Sequence, residues 1–176
     1  MKKILILYSG EFLTKSTPLG GIFQFDQAKL LLKNNYSVSI LSPGVNSVKN
    51  YFKNNEYKKV EIKEGIKIYR KYQKNLIPYR YKKLNYLIMN KINKLALELF
   101  KKYLLTNSKP DIIHAHDLRF GAFAAYNIYK KFNIPYVITE HNSDVMEGLY
   151  PSSLKKITKK VIKNSKNFNT VSELNA

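Results

Sequence analysis

A doubly wound α/β domain with a mainly parallel sheet is predicted by two features of the sequence. Short β-rich runs alternate with stretches of helical period along the whole chain. The segment Asp111–Phe132 is also a clean βα unit, an apolar strand followed at once by an amphipathic helix. No internal repeat and no low-complexity linker interrupts the pattern, and 176 residues suit one domain with a real core.

The elements follow in order. Lys2–Tyr8 reads as a buried first strand, and the loop Ser9–Gly21 leads into a helix over Ile22–Asn34, with Phe25, Ala28, Leu31 and Leu32 at helical spacing. Ser37–Leu41 is the second strand, expected to stop at Ser42-Pro43-Gly44. Residues 60–70 read as a hairpin around Glu64-Gly65, an edge or an insertion. Tyr81–Leu105 is a long helix with Leu84, Leu87, Ile88, Ile92, Leu95, Leu99 and Tyr103 on one face. The strand Asp111–Ala115, a His-Asp loop and a helix over Leu118–Phe132 come next. A strand Pro135–Thr139, the loop Glu140–Tyr150, a helix Leu154–Lys163 and a last strand Asn167–Val171 complete the chain.

Composition narrows the function classes. An apolar share of 44% marks a folding sequence, and the absence of cysteine excludes a disulfide framework, thiol catalysis and a cysteine-ligated zinc. This fits a cytoplasmic protein. The opening MKKILILY is too short in its apolar run for a signal peptide, and no later run has the length of a transmembrane helix. The net charge is +19, and Ser47–Leu105 alone holds 16 basic against 4 acidic residues. Such a field attracts polyanions. The equal alternative is compositional, since Lys, Asn, Ile and Tyr are used heavily throughout. The Tyr81–Leu105 helix, with Lys82, Lys83, Lys91, Lys94, Lys101 and Lys102, would suit peripheral contact with an anionic membrane. Packing of its stripe on the sheet is the favoured reading, because stripes at this spacing are usually core.

In a doubly wound sheet, ligands bind beyond the carboxyl ends of the strands. That rule selects Ser9–Gly21, Ser42–Gly44, His114–Arg119 and Glu140–Tyr150. Gly20 and Gly21 precede a helix whose N-terminus could meet a phosphate, but an ordinary glycine-rich turn fits as well; neither a GxGxxG nor a P-loop is present. His114 and His116 project from the same strand face, with His116 at the carboxyl end. His114 reads as structural, while His116 and Asp117 are placed for hydrogen bonding or proton transfer. A metal site built from the histidine pair with Asp117, Glu140 and His141 is a lesser alternative. Glu140-His141-Asn142-Ser143-Asp144, five polar residues following a strand, mark either a site or a capped turn.

Several segments then fall into one pattern. They are the opening KKILILY, Gly20-Gly21 before a helix bearing Asp26-Gln27-Ala28, the run from Pro110 through Asn142, and the terminal NFNTVSEL. Together they resemble the N-terminal domain of the retaining family 4 glycosyltransferases, over nearly the whole chain. Residues 45–107 carry no match, as in the variable acceptor-facing part of that family. The resemblance implies a glycosyltransferase-B architecture of two facing Rossmann-like domains. Residues 1–172 would form the acceptor-side domain and 173–176 the start of the interdomain linker. A donor-binding C-terminal domain would, by this resemblance, be expected beyond these 176 residues.

By the same resemblance, Gly20 and Gly21 approach the donor diphosphate and His116 lies near the transferring sugar. Asp117, Arg119, Glu140, His141 and Asn142 fall in the cleft-lining segments, and Ser172 and Glu173 mark the approach to the linker. The implied partners are a nucleotide-sugar donor, a glycan or lipid-linked acceptor and the C-terminal domain, with no metal cofactor; nucleic acid is not expected. Isolated, the domain is expected to be inactive. Two other readings stand beside it: an accessory binding module that needs a partner chain, and a metal-dependent hydrolase built on His114 and His116.

Overall fold

The computed structural model describes residues 1–14, 17–47, 58–75, 85–141 and 152–171. A seven-stranded sheet runs through the domain. Its strands are β1 (Lys3–Tyr8), β2 (Ser37–Ser47), β3 (Lys58–Lys63), β4 (Ile66–Asn75), β5 (Ile112–His116), β6 (Tyr136–Glu140) and β7 (Asn167–Thr170). They lie in the order β3-β4-β2-β1-β5-β6-β7, all parallel except the β3–β4 pair. Without β3, the six parallel strands follow the winding order of a dinucleotide-binding fold, which reverses direction between β1 and β5. The expected doubly wound α/β class is the one observed.

Alternation along β1 builds both layers of the core. Leu5 and Leu7 face one way, toward α2 (Asn85–Leu104), α3 (Ala122–Phe132) and α4 (Lys155–Lys163). Ile6 faces the other way, toward α1 (Ile22–Lys33), where Phe25 and Ala28 meet Ile40 and Ile68. Each fully buried aliphatic side chain of this kind stabilises the fold by about 1.5–3 kcal/mol relative to exposure. On α2 the buried face is Ile88, Met89, Ile92, Leu95, Ala96, Leu99, Phe100 and Tyr103. The predicted stripe is therefore mostly core. Leu87 departs from it at 53% exposure, and Leu84 lies outside the described residues. Among the described residues, no helix is long and apolar enough to cross a membrane.

Three boundaries differ from expectation for physical reasons. β2 does not stop at Ser42 but continues through Pro43 and Gly44 to Ser47. Beyond Leu41 it has lost β1 and pairs only with β4, so the missing Pro43 amide interrupts no ladder on the vacated side. The hairpin is present, with Glu64 at φ 49° and Gly65 at φ 78°, the conformation of a tight two-residue connection. Only β3 is an edge, however; β4 is an integral strand of the parallel sheet. Glu140, read as the start of a loop, is the last residue of β6 and pairs with Thr170.

The chain after β1 is pinned from beneath. Gly10 donates its amide to Pro43 O at 3.1 Å, and Ser42 Oγ donates to Gly10 O at 2.7 Å. Phe12 donates its amide to the Tyr72 hydroxyl at 2.9 Å, and Arg70, fully buried and paired with Glu61, donates Nε to Phe12 O at 2.9 Å. Two adjacent strand ends thus hold the loop that follows β1. Tyr72→Phe should remove the partner of a buried amide and cost about 1–3 kcal/mol in urea unfolding. An unchanged midpoint would show that the hydroxyl does not anchor this loop.

Candidate functional site

The winding reversal places the carboxyl ends of β1 and β5 side by side, with Tyr8 paired in register to His116. Helix crossovers leave from this point toward opposite faces, so the backbone parts and a crevice opens. Two residues shape its floor. Asp117 adopts a left-handed conformation (φ 65°) that aspartate tolerates better than most side chains, and it starts a π-helical turn over Asp117–Gly121. Its carboxylate accepts the amides of Phe120 at 2.6 Å and Gly121 at 3.3 Å, and the hydroxyl of Ser9 across the reversal. A Cβ on Gly121 would lie 2.1 Å from His116 O, so the turn closes under β5 only with glycine there.

Glu140, 2% exposed, completes the frame from β6. One oxygen accepts Leu118 N at 2.6 Å and the other accepts His141 N at 2.9 Å. A carboxylate with two backbone donors is satisfied where it stands. Glu140 therefore fixes the turn after β5 and the chain leaving β6, besides lining the cleft.

The chain has three histidines, and all three stand in one row. His114 and His116 stack with ring centroids 4.3 Å apart, and His116 and His141 follow at 5.1 Å. His114 Nε2 bonds Thr139 Oγ1 at 2.8 Å. His116 Nδ1 meets His141 Nε2 at 2.9 Å, and the amide nitrogen of Gln24 lies 3.4 Å from the first and 3.3 Å from the second. The Nε2 atom of His116 is buried without a hydrogen-bond partner among the described residues. Such an orphan in a residue 2% exposed is a site waiting for a ligand or water group.

Burial dominates the electrostatics. It pulls His116 down to about 2 and His114 to about 4, each helped by the neighbouring rings, so both stay neutral. His141 is lowered less far, because Glu140 partly offsets its desolvation. Asp117 is pushed up to about 6, chiefly by desolvation, against the opposing bonds from Ser9 and the turn amides. Although the residue as a whole is only half-buried, its carboxyl is enclosed by those donors.

These groups surround a cleft of about 270 Å³ lined by Tyr8, Ser9, Gln24, His116, Asp117, Arg119, Phe120, Glu140 and His141. A more apolar hollow of about 340 Å³ continues past His116 and His141, between Phe23, Gln27, Thr139 and Val171. Five of the expected site residues thus converge: His116, Asp117, Arg119, Glu140 and His141. His114 lies one strand step below, as its structural reading requires. Gly20 and Gly21 line neither hollow. A Cβ on Gly20 would meet Glu11 O at 2.3 Å and one on Gly21 the Phe12 ring at 2.3 Å, which accounts for both glycines locally. Asn142, Ser172 and Glu173 lie outside the described residues.

Gln24 was not anticipated. Its signal was a polar residue one turn before Ala28, on the inward face of α1, where an apolar side chain would be expected. Among the described residues, no group of three or more His, Cys, Asp or Glu side chains is disposed to hold a metal ion. The facing nitrogens of His116 and His141 are turned toward each other rather than toward a common point.

Acid should weaken this fold, with a definite sign. His114 and His116 have folded values below the usual 6.5, so their contribution is complete above about pH 6.5 and is lost as pH falls. Asp117 acts oppositely, since its folded value lies above the usual 3.8; its contribution is present below that value and lost as pH rises through about 6. Each group fully linked changes stability by about 1.4 kcal/mol per pH unit. The histidines outweigh the aspartate, so unfolding free energy should fall from pH 6.5 toward 4. In His116→Gln the fall should be shallower by roughly one group's slope, read from urea melts across that range. An unchanged slope would mean that His116 is not held neutral.

No curated protein matches the sequence. Among solved structures, Arabidopsis thaliana UGT89C1 complexed with UDP is similar at TM-score 0.53 and 12% identity, over 97% of this chain and 42% of that one. The S. aureus MnaA–UDP structure is similar at TM-score 0.52 and 16% identity, over 96% of this chain and 37% of that one. The present chain therefore spans about two fifths of the length of each. The shared fold is one Rossmann-like half of a glycosyltransferase-B architecture. The family model described as Glycosyltransferase Family 4 matches residues 22–175, and with that match the chain belongs to Glycosyltransferase Family 4.

Proposed function

We propose that this domain forms the acceptor-side wall of a sugar-transfer site, with a nucleotide-diphosphate-sugar as donor and a glycan or lipid-linked molecule as acceptor. Transfer would proceed with retention of the anomeric configuration. The observation that carries the reading is the buried, unpartnered Nε2 of His116 at the winding reversal of a family 4 domain. A neutral imidazole there forms a hydrogen bond to a sugar hydroxyl without adding charge to the site.

The surroundings suit an anionic leaving group. Helix α1 begins beside the cleft, with Gln24 in its first turn; that end has no side-chain cap and no acidic residue. Apart from the Ile22 amide, which bonds Leu19 O at 3.1 Å, its first-turn amides and positive dipole end favour a diphosphate, as does Arg119 in the cleft lining. These groups supply the electrostatic stabilisation on which a transfer without a metal would depend. A separate donor-binding domain would complete the site, which is why the domain alone is proposed to be inactive.

The test is mutagenesis in the enzyme that joins this domain to its donor-binding half. His116→Ala should lower turnover by about ten- to ten-thousand-fold, more than its loss of stability explains. His114→Ala should instead lose stability first, because its ring bonds Thr139 inside the sheet. Equal behaviour of the two variants would refute the division of roles.

A further inference from the structure

The contact between His116 and His141 has a direction that the cleft inherits. Two neutral imidazoles 2.9 Å apart share one proton between Nδ1 of His116 and Nε2 of His141. Their centroid separation of 5.1 Å at an interplanar angle of 22° puts the facing nitrogens nearly on the line joining the rings. The hydrogen bond is therefore edge to edge and close to linear. If His116 donates, its Nε2 presents a lone pair to the cleft; if His141 donates, His116 Nε2 presents N–H.

Two observations choose between these states. With both rings neutral, the buried Nε2 has no partner, and an orphaned acceptor is tolerated better than an orphaned N–H donor. His116 then carries its proton on Nδ1 and donates to His141. Protonation of His141 reverses this, because an imidazolium has no lone pair and must donate from Nε2. His141 is the ring that can take the proton, being exposed and next to the Glu140 carboxylate. The groups around it are Glu140 at the end of β6, His116 and His114 from β5, Asp117 and Arg119 from the following turn, and the neutral Gln24 from α1.

Gln24 favours neither state over the other. Its amide nitrogen, assigned as the group facing both rings, stands 3.3 Å from His141 Nε2 and 3.4 Å from His116 Nδ1. The one lone pair between the two rings is already taken by the ring-to-ring bond in either state, so Gln24 can only share it, and it does so from nearly equal distances in both.

We propose that His141 is a positioning residue that sets the tautomer of His116, so that its Nε2 accepts a substrate hydroxyl when His141 is neutral and donates to an anionic oxygen when His141 is protonated. The tautomer switch stands on the ring geometry. Its substrate consequence rests on the sugar-transfer reading above and sharpens it: at neutral pH the group recognised by His116 is a hydroxyl, not a phosphate.

With three histidines in the chain, long-range proton–nitrogen correlation spectra of the nitrogen-labelled protein should resolve every ring. The expected result is an Nδ1–H tautomer for His116 at high pH, converting to Nε2–H as His141 titrates, with His116 never becoming an imidazolium over that range. In His141→Gln the pH-dependent conversion should vanish. An Nε2–H tautomer at every pH would overturn the proposal, as would charging of His116 together with His141 or a conversion that survives in His141→Gln. The wild-type pH series decides alone if the variant does not fold. Because no transfer is measured, its failure would leave the sugar-transfer reading standing, and loss of that reading would leave the tautomer result intact.

Discussion

The pairing of β1 with β5, which sets Tyr8 beside His116, is the constraint from which the site follows. At that seam the sheet stops winding one way and starts winding the other, so no crossover covers the strand ends. What lies there is a short list fixed by register: Ser9 leaving β1, and His116 and Asp117 leaving β5. The Ser9–Asp117 hydrogen bond ties the two sides of the seam together, and the Asp117 carboxylate at once caps the turn that starts α3. Packing of the sheet and geometry of the cleft are therefore one problem with one solution.

The consequences spread outward from that seam. Glu140 is drawn into the frame because the turn after β5 leaves the Leu118 amide without an intrahelical partner. Satisfying that amide fixes the exit of β6 and so the position of His141. α1 completes the enclosure from the other face, where Gln24 interrupts an otherwise apolar surface to meet two imidazoles. Most buried polar groups around the seam are satisfied, and His116 Nε2, one of a few buried atoms without a partner among the described residues, points to what the cleft is for.

Much of this was legible in the sequence because hydrophobic period reports directly on which face is buried. The parallel strands, the α2 stripe and the common side of His114 and His116 all follow from spacing. The passage of β2 through Pro43 was not legible, since it depends on where β1 ends. The role of Glu140 as a brace depends likewise on a turn amide 22 residues away in sequence. Gln24 carried a weak local signal, a polar residue on an apolar face, whose meaning required knowing what α1 packs against. For Gly20 and Gly21, glycine before a helix suggested a ligand, whereas their local contacts are with Glu11 O and the Phe12 ring. Residue type alone does not separate those two demands on a backbone.

The most direct measurement of the central claim is a chemical-shift map of this chain titrated with a nucleotide-diphosphate-sugar. Weak binding is expected, with a dissociation constant of order millimolar (about −4 kcal/mol), and with the largest shifts at Ser9, Gln24, His116 and His141. A different outcome would contradict the account: shifts centred on the amino ends of β6 and β7, around Lys163 and Lys166, with the three histidines unmoved.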